Sequence, residues 1–190
     1  MLPFSINVGK NVLITSDTHF GHDNIVKYCN RPYKNASHMD EMMIADWNNA
    51  VSKDNWVIHL GDFSFNSDRY VQRLNGKIIL VKGNHDNNKY NKLFEGVVEY
   101  LPLKLGEFNC FFTHIPVDLN GKYKKGNEPD FSILDRYDFV ICGHVHGAFC
   151  VSGKNINVGI DIWKRLITID ELVRFLRKVK NENITYLEKI

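Results

Sequence analysis

The sequence predicts an α/β fold that contains a mixed sheet or two packed sheets, and three features lead to this prediction. Short apolar runs rich in β-branched residues recur along the chain, and such runs are typical of buried strands. In the first half of the chain, segments with helical periodicity lie between these runs. This alternation of strands and helices favours an α/β fold. Between residues 97 and 158 the strand-like runs come closer together, which indicates antiparallel additions.

Polar residues follow each apolar run at once. Ligands of α/β proteins bind in the crevice at the carboxyl ends of the strands, so these polar residues are candidates for a functional site. The predicted strands cover residues 12–14, 56–60, 78–81, 111–113 and 139–142.

Three segments predict helices. The first opens with Ser37 and has Glu41 close to capping-box spacing. The last begins at Thr168, carries acidic residues in its first turn and ends in Arg and Lys, which matches the helix dipole. The predicted helices cover residues 37–51, 66–74 and 168–179.

Length and composition predict one globular domain over residues 1–190. The chain is 44% hydrophobic and 24% charged, as globular proteins commonly are. Its formal net charge of +2 is too small to indicate a nucleic-acid or membrane surface. No stretch approaches the ~20 apolar residues that a bilayer-spanning helix needs, so we expect no membrane association.

The cysteines and the N-terminal residues predict a cytoplasmic protein. None of the four cysteines forms a C-x-x-C pair, so the sequence contains neither a zinc-ribbon motif nor a thioredoxin motif. Reduced thiols fit the cytosol, and the first residues lack a signal-peptide pattern. The one long polar loop, 118–130, contains Lys122, Lys124 and Lys125. It is either a solvated loop or a functional lid.

Five motifs at the predicted strand ends contain most of the metal-ligating residue types. They hold five of the eight histidines. In D-x-H and H-x-H, residues i and i+2 of an extended segment point the same way and can reach one ion. The motifs are D-T-H at 17–19, G-D at 61–62, G-N-H-D at 83–86, His114, and G-H-V-H at 143–146.

The donor set suggests two metal ions. Seven protein ligands are too many for one first-row ion, but they fit two ions if one carboxylate bridges. Mixed nitrogen and oxygen donors without thiolate indicate Mn, Fe or Zn. Two ions about 3.5–4 Å apart form a clamp for displacement at phosphorus. The candidate ligands are Asp17, His19, Asp62, Asn84, His114, His144 and His146.

The five motifs, in this order, resemble the pattern of the calcineurin-like metallophosphoesterase superfamily. The stretch SDTHFGHDNIVKYCNRP is similar to a subgroup of small bacterial and phage members. The resemblance implies a four-layer α/β/β/α sandwich of two mixed sheets, with a di-metal site at the carboxyl ends of the strands. It implies Asp17, His19 and His146 for the first metal, Asp62 as the bridge, and Asn84, His114 and His144 for the second metal.

The resemblance also implies catalytic roles for two neighbouring residues. His85 corresponds to the histidine beside the scissile phosphate, which stabilises or protonates the leaving group. Asp86 would orient His85, as carboxylates often orient imidazoles. The alternative for Asp86 is a turn carboxylate that caps local backbone N–H groups.

Several residues near the motifs are candidates for substrate binding or for support of the site. Arg31 is interpreted as a bidentate phosphate ligand, with a surface cation in an Arg-Pro turn as the alternative. His22 and Asn24, on the loop after the first motif, are candidates for substrate binding. His22 would either line the substrate mouth or hydrogen-bond to the loop. Asn157 and Asp161 would either support the site or form a turn at a strand end.

The resulting functional hypothesis is a metal-dependent phosphoester hydrolase. A metal-bridging hydroxide would attack a phosphodiester of a small, nucleotide-like molecule, and His85 would assist the leaving group. We expect manganese as the cofactor, with iron, zinc or nickel as alternatives. A nuclease is a second reading, which the near-neutral charge does not favour. A non-catalytic scaffold is a third, and the complete ligand set argues against it.

Overall fold

The computed structural model describes residues 11–117 and 135–190. Their strands form two sheets. The first contains β1 (Val12–Thr15), β2 (Trp56–His59), β3 (Lys77–Val81), β4 (Gly96–Val98) and β10 (Ile167–Thr168). The second contains β5 (Tyr100–Leu105), β6 (Phe108–Thr113), β7 (Phe139–Cys142), β8 (Val151–Ser152), β9 (Asn155–Asn157) and β11 (Tyr186–Leu187).

Both sheets are mixed. The order of the first is β10-β1-β2-β3-β4, and only the β10–β1 pair in it is antiparallel. The order of the second is β11-β8-β9-β7-β6-β5, with parallel pairing from β9 through β7 to β6. The predicted α/β fold with two mixed sheets is therefore confirmed, including antiparallel pairs in the C-terminal half.

The first two predicted helices differ from the prediction, one at its start and the other in its type. Asn35, not Ser37, caps the first predicted helix, because its side chain accepts a hydrogen bond from His38 N. The segment 66–74 forms two short 3₁₀ helices, Ser67–Arg69 and Val71–Arg73, neither of which has a side-chain cap. The α-helices are α1 (Asp23–Tyr28), α2 (Ala36–Ala50), α3 (Ile160–Trp163) and α4 (Ile169–Asn181), and Asn88–Leu93 forms a third 3₁₀ helix.

The first sheet lies between the helices α1 and α2 and the second sheet. Alternate residues of a strand point to opposite faces, and β1 shows the consequence. Leu13 packs with the buried faces of α1 and α2, whereas Val12 and Ile14 pack with β6, β7 and β9. The site-bearing strands are thus buried on both faces, which fixes their register and the positions of their ends.

Helix α4 packs against both sheets. Its apolar face joins the core between the sheets, and Thr168 and Glu171 form the capping box at its start. Arg177 on the same helix pairs with Glu107, in the turn between β5 and β6. The prediction of this helix and of its start at Thr168 is confirmed.

The outer face of the second sheet carries a smaller apolar cluster that includes Phe111, Val140 and Phe149. The loop predicted at 118–130, with its three lysines, lies outside the described residues. Among the helices that are described, none is both long and apolar enough to span a bilayer.

Candidate metal centre

The predicted site residues lie where the strands of the two sheets end. Because β1, β2 and β3 are parallel neighbours, the loops that follow them meet at one edge of the first sheet. Asp17 N donates to Gly61 O at 3.0 Å, and His19 N donates to Asp62 O at 3.0 Å. The loops after β6 and β7 meet in the same way, since Gly143 N donates to His114 O at 3.0 Å.

Two groups of candidate ligands converge there. The first group is Asp17, His19 and His146, and the second group is Asp62, His114 and His144. Within each group, one potential ligand atom from each residue lies within 4.8 Å of the other two. The structure thus brings six of the seven candidate ligands into two groups, from loops that follow strands of both sheets.

Asn84 belongs to the second group by contact. Its Oδ1 lies 3.1 Å from His114 Nε2, and His144 Nδ1 lies 3.2 Å from the same nitrogen. Two potential ligand atoms from two other loops therefore lie beside His114 Nε2.

The Asp62 carboxylate lies between the two groups. Its Oδ2 is 3.5 Å from His19 Nε2 and 3.4 Å from His114 Nε2. Among the described residues, His19 Nε2 is buried without a hydrogen-bond partner. Buried polar atoms normally have partners, so this nitrogen beside a carboxylate oxygen fits a cation bound between them. The absence of thiolate from both groups fits a first-row ion such as manganese, iron or zinc.

The pKa values of the site residues are set by burial and by the contacts between these residues. Burial alone would raise the pKa of Asp62, but hydrogen bonding and the charge of His114 hold it below its usual range. Burial lowers the pKa of His114, yet the contact with Asp62 outweighs it and raises the value to about 9. Burial lowers the pKa of His19 to about 3, so that imidazole is neutral and has a lone pair for a metal.

The backbone of the candidate ligands is unusual. Five of the seven candidate ligands have φ between 48° and 70°. Residues with side chains rarely adopt this left-handed conformation, and strained positions of this kind cluster at functional sites. The five residues are Asp17, His19, Asp62, His144 and His146.

Gly143 shows how closely the loops pack. A Cβ at this position would overlap Ser16 Oγ and the Asp17 carboxylate. We expect Gly143→Ala to lower the free energy of unfolding by about 1–3 kcal/mol, because the added methyl forces the two loops apart. It should also reduce metal uptake. Thermal melts and metal analysis would measure both effects.

Gly147, four residues further on, provides the matched control. A Cβ there would meet no atom within 4 Å. Gly147→Ala should therefore change the free energy of unfolding by less than about 0.5 kcal/mol. Equal effects of the two substitutions would contradict this account of loop packing.

His85 lies at the exposed side of the centre. Its side chain is 45% exposed, and its Nε2 is 3.9 Å from Asp62 Oδ2. Its ring centroid lies 5.7 Å from that of His19 and 5.4 Å from that of Phe65. His22, predicted at the substrate mouth, completes a circle of four rings, 4.9 Å from Phe65 and 5.6 Å from His19.

Sequence reasoning did not single out Phe65. It is 43% exposed beside His85, although an aromatic ring is usually buried. Its position three residues after Asp62 is the only signal that could have found it. Asn24 lies exposed on α1, two residues after His22, whose Nδ1 caps that helix by accepting from Ile25 N.

The prediction that Asp86 orients His85 is wrong. Its carboxylate accepts hydrogen bonds from three backbone N–H groups, those of Asp62, Phe63 and Gly83, at 2.8–2.9 Å. The alternative reading, a carboxylate that caps local backbone, describes only the bond from Gly83. The other two bonds reach the loop that carries Asp62 and fix it. Within residues 11–117 and 135–190 it makes no contact with the His85 ring.

Arg31 is not arranged as a phosphate ligand. It is buried, and its Nε and Nη2 donate to the two Asp161 oxygens at 2.8 Å. Its remaining N–H groups face Asp17 O at 2.7 Å, Thr18 O at 2.9 Å and the Met39 sulfur at 3.4 Å. No donor is left for a substrate.

Asn157 and Asp161 support the site. Asp161 Oδ2 lies 2.8 Å from His146 Nδ1, and Asn157 Nδ2 donates to His146 O at 2.7 Å. Cys29 also has its sulfur within 4.8 Å of ligand atoms of His146 and Asp161. Because Arg31 and His146 already bind the Asp161 oxygens, this third group offers no free carboxylate oxygen to a cation.

Comparison with known proteins is consistent across sequence and structure. A family model for the calcineurin-like phosphoesterase superfamily domain matches residues 11–159. The chain is 30% identical over 187 residues to an uncharacterised protein of Methanocaldococcus jannaschii, covering 90% of this chain and 94% of that protein. It is 26% identical over 202 residues to the gene 66 protein of Mycobacterium phage L5, covering 90% and 97% respectively.

Solved structures with a similar fold include that of a protein of unknown function from Aquifex aeolicus, which superposes with a TM-score of 0.65 at 22% sequence identity. The alignment covers 86% of this chain and 98% of the Aquifex chain.

Proposed function

The chain belongs to the calcineurin-like phosphoesterase superfamily, and from this premise we propose that it is a phosphodiesterase that uses two transition-metal ions. Metal-dependent hydrolysis of phosphoesters is the chemistry of the family. The diester preference, the number of ions and the roles of individual residues are our proposal. We propose manganese as the metal, with iron, zinc or nickel able to use the same donors.

The observation that carries the proposal is the convergence of donors around Asp62. Imidazole nitrogens of His19 and His114, from different sheets, lie within 3.5 Å of one carboxylate oxygen. Desolvating a carboxylate and several imidazoles in one place is unfavourable unless a cation binds them. In this proposal the first group and the second group each hold one ion, and Asp62 contacts both.

Two bound ions would supply an activated water and neutralise charge on the phosphate. The residues of the chain would do the rest. Asn84 would fix the second ion and the phosphate beside it. His85, at the exposed side, would donate a proton to the leaving oxygen, so that an alcohol departs and not an alkoxide. No covalent enzyme intermediate is required.

The exposed aromatic ring of Phe65 supports a diester in preference to a monoester. A diester has two organic substituents, and the one that does not leave needs a place beside the metals. Phe65 and His22 offer a ring surface next to His85, on which a planar aryl or base group could stack. The formal net charge of +2 does not favour a long polyanion as the substrate.

We expect metal-stripped protein to regain activity with Mn²⁺ and to hydrolyse bis-p-nitrophenyl phosphate faster than p-nitrophenyl phosphate. Release of nitrophenolate measures both rates. Phe65→Ala should lower kcat/KM for the diester by about tenfold, the effect of losing roughly 1.4 kcal/mol of stacking.

The other outcomes separate the remaining hypotheses. A preference for the monoester would overturn the diester assignment but leave the hydrolase. Faster cleavage of RNA or DNA oligonucleotides than of either ester would favour a nuclease. Failure to bind any transition metal would overturn the enzyme reading and leave a scaffold.

A further inference from the structure

We propose that Arg31 and Asp161 are positioning residues that together hold all three members of the first group, Asp17, His19 and His146, in the arrangement that binds metal. This inference rests on the proposed metal-dependent function. It gives a role to the buried ion pair between Arg31 and Asp161.

The first step concerns His146. Asp161 Oδ2 lies 2.8 Å from His146 Nδ1, so Nδ1 is occupied and Nε2 is the nitrogen left for an ion. Carboxylates that bind the second nitrogen of a metal-ligating histidine fix its tautomer and its ring orientation. Asp161 is placed to do this because α3 begins directly after β9, which is paired with β7.

The second step concerns the loop after β1. Arg31 Nη2 donates to Asp17 O and Arg31 Nη1 donates to Thr18 O, the two carbonyls between Asp17 and His19. Asp17 and His19 both adopt the left-handed backbone conformation, with φ of 60° and 51°. Such conformations persist only where the surroundings fix them. Arg31 supplies that restraint from inside the protein.

Arg31 also links the loop after β1 to Asp161. Arg31 Nε and Nη2 bind the Asp161 oxygens at 2.8 Å in a fork, across 130 residues of sequence. One guanidinium thus connects the Asp17–His19 loop to the carboxylate that orients His146. Because Asp161 neutralises it, Arg31 can lie beside a cation site without repelling the ion.

The geometry requires arginine and not merely a positive charge. Five N–H donors in a planar fork meet five acceptor contacts, and a lysine ammonium has three donors at one point. Arg31→Lys would keep the positive charge but could not make the hydrogen bonds to the loop and to Asp161 at the same time.

The test is a titration of metal-stripped proteins with Mn²⁺. Calorimetry measures the affinity and the number of bound ions, and electron paramagnetic resonance shows whether the bound ions are spin-coupled. The proteins are the wild type, Arg31→Lys, Asp161→Asn and the control Arg177→Lys. Arg177 also binds a carboxylate in a fork, with Nε and Nη2 at 2.8 and 2.9 Å from Glu107, but in an exposed pair that belongs to neither group of candidate ligands.

We expect the wild type and the control to bind two Mn²⁺ and to give the spectrum of a spin-coupled pair. Arg31→Lys and Asp161→Asn should bind one of the two ions about 10–100-fold more weakly, as loss of outer contacts to metal ligands does elsewhere. Their spectra should be those of an isolated ion, and a large excess of Mn²⁺ should restore the coupled pair.

Other results would overturn the inference. Two ions bound with wild-type affinity in both variants would do so, and so would an equal loss of both ions, which is what a merely structural role predicts. If Arg31→Lys does not fold, the double variant Arg31→Gln/Asp161→Asn replaces it, since it leaves no unpaired buried charge. A wild type that binds fewer than two ions would instead overturn the proposed function, and this inference with it.

Discussion

Asp62→Asn is expected to abolish manganese-dependent hydrolysis, with kcat/KM falling by at least about 10³-fold, or about 4 kcal/mol of transition-state stabilisation. Asp62 Oδ2 is the oxygen that faces imidazoles of both groups. An amide in its place keeps the shape but removes the charge that two cations would share. The measurements are diester turnover and metal content per protein.

The size and the selectivity of this effect distinguish it from general damage. Asp46→Asn, at an exposed position on α2, makes the same chemical change away from the site and should leave both measurements unchanged. Full metal content together with near-normal turnover in Asp62→Asn would contradict the role of Asp62 as the shared ligand.

His85→Ala is expected to lower kcat by about 10²–10⁴-fold, the usual contribution of a positioned acid or base. Metal content should stay at the wild-type level, because His85 is in neither group of candidate ligands. Steady-state kinetics on metal-replete protein, with metal analysis of the same sample, would separate catalysis from metal binding.

The leaving group provides a sharper test of His85. A proton donor matters most when the departing oxygen is strongly basic, so the defect should be larger with an alkyl nucleoside diester than with a nitrophenyl ester. His38→Ala, on α2, is the matched control and should leave kcat unchanged. A defect of equal size for both leaving groups would indicate that His85 stabilises charge without donating a proton.

The residue types of the site could be predicted from the sequence because their chemistry is local. Strand ends can be recognised from apolar runs, and the D-x-H and H-x-H spacings place two side chains on one side of an extended segment. The convergence of Asp17 and Asp62 followed from the parallel order of β1 and β2, whereas His114 reaches them from the second sheet. The two mixed sheets followed from the spacing of the strands and from the family resemblance.

The predictions that failed concern side chains whose partners are distant in sequence. Arg31 was interpreted as a phosphate ligand because a guanidinium can bind a phosphate bidentately, and the alternative was a surface cation in an Arg-Pro turn. In the fold it is buried and bonded to Asp161, which is 130 residues away. The same holds for Asp86, whose partners include the N–H groups of Asp62 and Phe63, more than twenty residues earlier.

The sequence by itself determined which atoms are available to bind metal, because ligand chemistry belongs to the residue type and its position at a strand end. Only the tertiary structure decided which polar side chains face the candidate metal centre and which hold the loops in place. The role of a charged side chain depends on the partners that it contacts in the folded protein. These partners are distant in sequence, so no local pattern predicts them. Arg31 and Asp161 meet only when the end of β1 and the start of α3 are packed together.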